Sequence, residues 1–268
     1  MNPAVKDPLF TRFAPRTTLA ISAVTGGLIL SAWATATALG WVAPLFLPSP
    51  GQVVTRLNLL ITEGFADATL WQHTWASLVR VFSAFALACL TAVPVGILMG
   101  VHDAAKGLLD PLIEFYRPLP PLAYLPLIII WLGIGETAKV VLIFLAMFAP
   151  ICLSTRAGVR SVAREKVLAA ATLGASRLQI IRHVILPGAL PEILTGMRVG
   201  IGFGWTTLVA AEMVAATEGL GFMVLNAKDF LATDVVITGI LVIGVIAYLF
   251  DALMRMIEAR LVPWKGLE

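Results

Sequence analysis

The sequence is short of charge, of histidine and of cysteine. Only 13% of its 268 residues are Asp, Glu, Lys or Arg, about half the share found in a soluble domain. Hydrophobic residues make up 59% before the 22 glycines are counted, and the mean hydropathy is +0.92. A globular chain of this size would lack the polar surface to stay in solution, which excludes a soluble enzyme. A disordered chain is excluded too, because disorder combines low hydrophobicity with high charge. His73, His102 and His183 stand far apart, and Cys89 and Cys152 lie in apolar runs without ligand neighbours. Neither a metal cluster nor a disulfide framework is expected, and the cysteines read as packing residues. None of the six lysines closes a G-x-x-x-x-G-K-[ST] phosphate cradle, so this chain does not bind ATP in that way. A net charge of +3 gives no reason to expect nucleic acid as a partner.

What is present is long apolar sequence, and the expected partner is a lipid bilayer. No charged residue occurs between Arg16 and Arg56, and Thr17 to about Val42 is long enough to cross a bilayer, which takes ~20 residues. Further runs cover about Ala76–Val101, Leu119–Ile134, Val140–Arg156, Val199–Ala216 and Val235–Leu253. They are continuously apolar, without the alternation of a membrane β-barrel. The expectation is an all-α integral membrane protein of about six spans, with five as the alternative. A tail over 1–16 would precede a single transmembrane domain over 17–268. Ala34-Thr35-Ala36 has the look of a signal-peptide cleavage site, but the apolar run is longer than such a signal needs and more spans follow.

Basic residues orient the chain. With the N-terminus inside, the inner segments hold 15 Lys and Arg and the rest of the chain holds four, a positive-inside asymmetry that puts both termini in the cytoplasm. Seven of the 15 lie in one inner loop, 156–198. In that loop the small and apolar residues before Gly174 favour a helix. Gly174 can supply a turn, Ser176 can cap a second helix, and Pro187 is expected to limit its extension. Ile180, Ile181, Val184 and Ile185 form an apolar stripe on the second helix. Two such helices make a compact knob. It could lie on the lipid surface, but the small residues Ala169, Ala170 and Ala171 suit insertion into a protein groove better.

Other residues have two readings each. Gly196, Gly200 and Gly204 recur at four-residue spacing and give one smooth helix face for close packing in lipid; Gly96 and Gly100 can do the same. A dinucleotide turn over Gly200–Gly204 lacks the strand it would need. Arg80 and Glu212 are ionisable residues inside spans, where charge is expensive and marks a functional site by default. They could line the outer mouth of a pathway, with Trp205 and Thr206 near them, or they could pair with each other or snorkel to the interface. Trp71, Trp75, Trp131 and Trp205 could form a cage for a substrate, although anchoring at the membrane interface is the commoner use of tryptophan. A secondary transporter would need internal repeats and mid-span ion sites, and a membrane enzyme would need convergent acid, base or metal residues. The sequence offers little of either.

Glu165, Ala169-Ala170, Gly174-Ala175-Ser176 and Leu186-Pro187 bring the loop close to a known pattern. It resembles the E-A-A-x3-G-x9-I-x-L-P loop of permease subunits in bacterial binding-protein-dependent ABC importers. Leu168 stands where that family has Glu, and Val184 where it has Ile; Glu165, one turn earlier, is the candidate substitute for the missing acid. Arg117-Pro118-Leu119-Pro120-Pro121 through Pro126 and Trp131-Leu132-Gly133-Ile134-Gly135-Glu136 resemble the nitrate, sulfonate and taurine branch. Ala68–His73, Gly202–Glu212 and Phe230–Asp234 are similar to its taurine-transporting members. The resemblance implies a MetI-like permease fold, a homodimer, two cytoplasmic ATPase subunits that bind ATP and Mg, and a periplasmic or lipid-anchored substrate-binding protein. It also implies that the chain is not itself an enzyme, resides in the bacterial inner membrane, and carries taurine, another alkanesulfonate or a nitrate-like anion. The 156–198 loop would couple it to the ATPase.

Overall fold

A computed structural model describes residues 15–264, so the expected tail at 1–16 lies outside the described residues except for its last two. Among the described residues the secondary structure is helical. The elements are α1 Pro15–Ala38, α2 Pro50–Thr62, α3 Leu70–Val101, α4 Asp103–Tyr116, α5 Pro121–Leu132, α6 Glu136–Ser161 and α7 Arg164–Thr172. A short α8 Arg177–Ile180 and a π turn Ile181–Ile185 run into α9 Leu186–Ala215, followed by α10 Leu220–Asp229 and α11 Thr233–Leu261. Among the described residues, five helices are long and apolar enough to cross a membrane, or six if the bent pair α4 and α5 counts as one span.

The core is α6 packed between α3 and α9. Glycines on both flanking helices let the backbones approach. A Cβ added at Gly96 of α3 would stand 2.5 Å from the Cys152 carbonyl oxygen, and one at Gly200 of α9 would stand 2.7 Å from Ile151. Gly196 and Gly204 lie against Ser154 and Met147, and Gly100 lies against Val159. Small-residue faces of this kind are how helices associate in lipid, where no hydrophobic force drives them together. Val81, Ala84, Ala88 and Ala92 from α3, Ile143, Met147 and Ile151 from α6, and Ile201 and Leu208 from α9 fill the interior.

The structure departs from the sequence expectation in three places. The third span is not one run over Leu119–Ile134: α4 and α5 meet at a bend of 103°. Pro118, Pro120 and Pro121 explain the break, since each lacks an N–H and Pro120, ahead of Pro121, is extended at ψ 133°. Pro187 does not limit its helix either. The π turn sits just before it, and Arg177–Val214 continues as one span of 38 residues. The wider turn re-routes the backbone bonding, with Leu186 N–H reaching Ile181 O, so that the proline falls in a first turn where its missing donor costs little. Finally, α2 and α10 are short helices that the hydropathy pattern did not reveal. They pack on α11 through Leu60, Leu220, Met223 and Val235, and Arg56 of α2 binds Asp234 at the start of α11 at 2.5 Å. Their starts are fixed locally: Ser49 and Gln52 form a capping box at α2.

Ion pairs mark the other end of the bundle, where α7 and α8 lie. Asp110 of α4 pairs with Arg156 of α6, Asp103 pairs with Arg160 at 2.7 Å, and Arg198 of α9 pairs with Glu258 of α11 at 3.2 Å. α1 stands apart, with none of its apolar span buried in this chain.

The glycine seam gives a direct test. Gly96→Ala should destabilise the folded protein by about 1–3 kcal/mol through overpacking against backbone. Gly202→Ala, whose Cβ would have nothing within 4 Å, should be neutral or slightly stabilising. Thermal unfolding of the two variants in the same detergent checks the difference.

Candidate functional site: a buried ion-pair network and an exposed helical hairpin

Two regions concentrate chemistry, one at each end of the core. At the first, α3 presents His73, Ser77 and Arg80 at i, i+4 and i+7, which places them on one helix face. All three are buried, with Arg80 only 2% exposed. Arg80 Nη1 donates to Glu212 Oε1 at 2.7 Å and to the Glu218 carbonyl oxygen at 2.7 Å. Its Nε and Nη2 donate to Glu136 at 2.6 and 2.9 Å, and Lys139 meets the same carboxylate at 2.6 Å. Glu212, fully buried, also accepts from Ser77 Oγ at 2.7 Å and from the Gly221 N–H at 2.8 Å.

The network also ties down the start of α10. Gly219 N–H donates to His73 Nδ1 at 3.0 Å and Leu220 N–H to Ser77 Oγ at 2.9 Å. A backbone N–H at Nδ1 obliges that nitrogen to accept, so the ring proton sits on Nε2 and donates to the Phe65 carbonyl oxygen at 2.9 Å. Three successive amides that a helix start leaves without partners are thus satisfied from α3 and α9, and the Glu212 charge faces the positive end of the α10 dipole. Gly219, at φ +135°, is required twice over: its backbone favours glycine, and a Cβ there would stand 2.5 Å from the Glu212 carboxyl carbon.

The four residues expected along a pathway therefore do not share one open surface. Arg80 and Glu212 are paired with each other and sealed. Trp205 is 7% exposed and packs in the core between α3, α6 and α9, so it is no interfacial anchor. Thr206 is exposed and bonds its own helix at Phe203 O, 2.8 Å away. Trp71, Trp75 and Trp131 are exposed, and the first two rings stack at 6.3 Å; no cage forms. Sequence reading missed Glu136, Lys139, His73 and Ser77 as members of the cluster. The i, i+4, i+7 spacing on α3 was the available signal.

Between the ends, the break from α4 to α5 opens a cavity of about 440 Å³ against the middle of α6 and α9. Tyr116, Arg117, Tyr124, Ser154 and Phe203 line it. The Tyr116 hydroxyl is buried there without a hydrogen-bond partner.

At the second end, α7 and α8 form a hairpin. α7 closes on Gly174 at φ +81°, with Ala175 N–H bonding Ala170 O at 3.1 Å and Gly174 N–H bonding Ala171 O at 3.0 Å, the paired bonds of a Schellman motif. Ser176 and Gln179 then form a capping box for α8. Val167, Ile180 and Ile181 fix the hairpin to Val159, Ile185 and Ala189 at the ends of α6 and α9. Its outer surface is open: Glu165, Ala169 and Ser176 are exposed, as are Leu168 at 52%, Leu173 at 88% and Leu178 at 73%. Ala170, Ala175 and Pro187 are half-buried, and Leu186 is exposed at the join with α9.

Residues 92–263 match the family described as "Binding-protein-dependent transport system inner membrane component". The chain is 56% identical over 247 residues to the taurine transport system permease protein TauC of Escherichia coli, covering 92% of this chain and 90% of that one. It is 36% identical to the putative aliphatic sulfonates transport permease protein SsuC of the same organism, over 88% of each chain. In fold it is similar to the inward-facing MetNI methionine ABC transporter, with a TM-score of 0.63 at 20% identity over 72% of this chain and 95% of that one.

The pairing makes a prediction for stability. Arg80→Gln leaves the sealed Glu212 charge without its counter-ion and should cost about 3–5 kcal/mol, whereas Glu212→Gln leaves Arg80 paired with Glu136 and should cost less. The double substitution should cost less than the sum, by at least about 1 kcal/mol. Unfolding midpoints of the three variants measure this.

Proposed function

The chain belongs to the family of binding-protein-dependent transport system inner membrane components, and on that premise we propose that it forms the translocation pathway of an ATP-driven importer for taurine or a closely related sulfonate. The observation that carries the cargo is the 56% identity to a taurine permease over 92% of this chain. The relative named for aliphatic sulfonates makes other alkanesulfonates the second reading. The pathway passes the cavity at the α4–α5 break, where Arg117, Ser154 and the unpartnered Tyr116 hydroxyl offer polar groups.

Two copies of the chain face each other around that path, and two ATPase subunits bind ATP and Mg on the cytoplasmic side. A separate binding protein delivers the cargo from outside. Both termini and the α7–α8 hairpin face the cytoplasm, in line with the excess of Lys and Arg there. The hairpin docks in the ATPase through Leu168, Leu173 and Leu178 and through the small side chains of Ala169 and Ala170. Burying the exposed parts of the three leucines offers roughly 3–6 kcal/mol of gross association energy. Glu165 carries the acidic charge at the dock in place of a residue at 168. Because the hairpin is packed onto α6 and α9, movement of the ATPase pair reaches those spans as a rigid-body shift.

The assembled importer in proteoliposomes should take up taurine only with ATP inside and binding protein outside. Uptake of nitrate in place of taurine would reject the cargo. Gly174→Val should abolish coupling: the αL position disfavours a β-branched residue, while open space around Gly174 spares the packing. The expected result is a permease that inserts and unfolds like the unsubstituted protein but no longer retains the ATPase or transports. ATPase co-purification and uptake at ordinary levels would overturn the assignment.

A further inference from the structure

Arg80 is held by two carboxylates of different character. Glu212 is sealed, and each of its oxygens is engaged by fixed neighbours. The Glu136 side chain is 63% exposed, yet it covers the whole Nε–Nη2 edge of the guanidinium with two parallel hydrogen bonds. The same carboxylate meets Lys139. Two nearly sealed cations, Arg80 at 2% and Lys139 at 3% exposure, thus share one carboxylate that solvent reaches.

A guanidinium edge with two parallel donors recognises any group that presents two oxygens side by side, whether carboxylate, phosphate or sulfonate. We propose that this edge of Arg80 is an oxyanion site for the sulfonate of the transported molecule, and that Glu136 is its resident, displaceable occupant. The proposal deepens the sulfonate reading above and rests on it. The incoming monoanion takes the place of the Glu136 carboxylate beside both Arg80 and Lys139, which avoids the cost of an uncompensated buried charge. Glu212, Ser77 and the Glu218 carbonyl hold the rest of the network, so Arg80 stays in place while its outward edge changes partner. Glu136 stands at the first residue of α6, beside the α5–α6 turn, and swings aside into solvent. There its carboxylate is available to the ammonium group of an aminosulfonate bound on Arg80. The site selects an anion first and a neighbouring cation second.

The test is chemical rescue in the purified importer with its ATPase attached. Glu136→Ala empties the edge, and the unfolding midpoint should fall by roughly 4–10 °C. Methanesulfonate at millimolar concentration should restore most of that loss in Glu136→Ala. The unsubstituted protein should need at least about tenfold more for any comparable shift, because there the anion competes with Glu136. Sodium chloride and methylammonium chloride at equal ionic strength should not rescue. A purely structural ion pair would show the drop in midpoint without sulfonate-specific recovery, and that result overturns the proposal. Equal response of both proteins to methanesulfonate overturns it too. If Glu136→Ala does not accumulate, Glu136→Gln is read in the same way. Failure of both to accumulate with methanesulfonate in the growth medium also counts against the site. Methanesulfonate reports the anion site whatever the cargo, so rescue without taurine uptake would reject taurine and keep the site.

Discussion

Lipid tails are as apolar as leucine, so helices in a membrane gain nothing from hydrophobic association and are held by close packing and by polar contacts that lipid cannot supply. The protein meets this constraint by running α6 between two glycine-bearing helices. Gly96 and Gly100 on α3 and Gly196, Gly200 and Gly204 on α9 bring both backbones against the same central span. Apart from α1, the other helices are mounted on that three-helix unit. The short helices α2 and α10 sit against α11 at one end, the hairpin grips the other, and the broken pair α4–α5 leans on its flank.

Close packing in turn makes the charged cluster tolerable. Arg80 and Glu212 can be buried because α3, α6 and α9 converge where they lie, and because both oxygens of the carboxylate and most donors of the guanidinium find a partner. Two of those partners, the Gly221 amide and the Glu218 carbonyl, belong to the backbone of the 218–221 turn. The cluster is therefore a clamp on the α9–α10 connection as much as an ion pair between helices. The cavity at the α4–α5 break is the opposite solution to the same problem, with freed backbone and a tyrosine hydroxyl facing space instead of a partner.

The spans were legible because apolar length alone requires them: in lipid a stretch such as Val199–Ala216 has no structure open to it except a helix. The turn chemistry of the hairpin was legible too, since Gly174 and Ser176 do local jobs that local sequence describes. What hydropathy could not give was whatever depends on a neighbour. The α4–α5 break is encoded by three prolines, yet Pro94, Pro126, Pro150 and Pro191 sit inside intact helices; only tertiary support separates the two outcomes. Pro187 was misread for the same reason, because a π turn is invisible to residue type. Arg80 and Glu212 stood out as charges in apolar runs. Their partners did not: Glu136 begins a span, where a charge is unremarkable, and His73 looked solitary until α3 and the 219–221 amides came together.

The span from Arg177 to Val214 has a mechanical meaning of its own. At 38 residues it is a rod of roughly 57 Å, with the turn of the hairpin at one tip and Glu212 almost at the other. The two faces of the membrane are thus joined in series by one covalent strut, with no sliding interface between them to dissipate a displacement. Whatever seats on the hairpin holds the same lever that ends on the guanidinium, and the strength of that terminal grip sets how hard the lever must be pulled before the far end lets go.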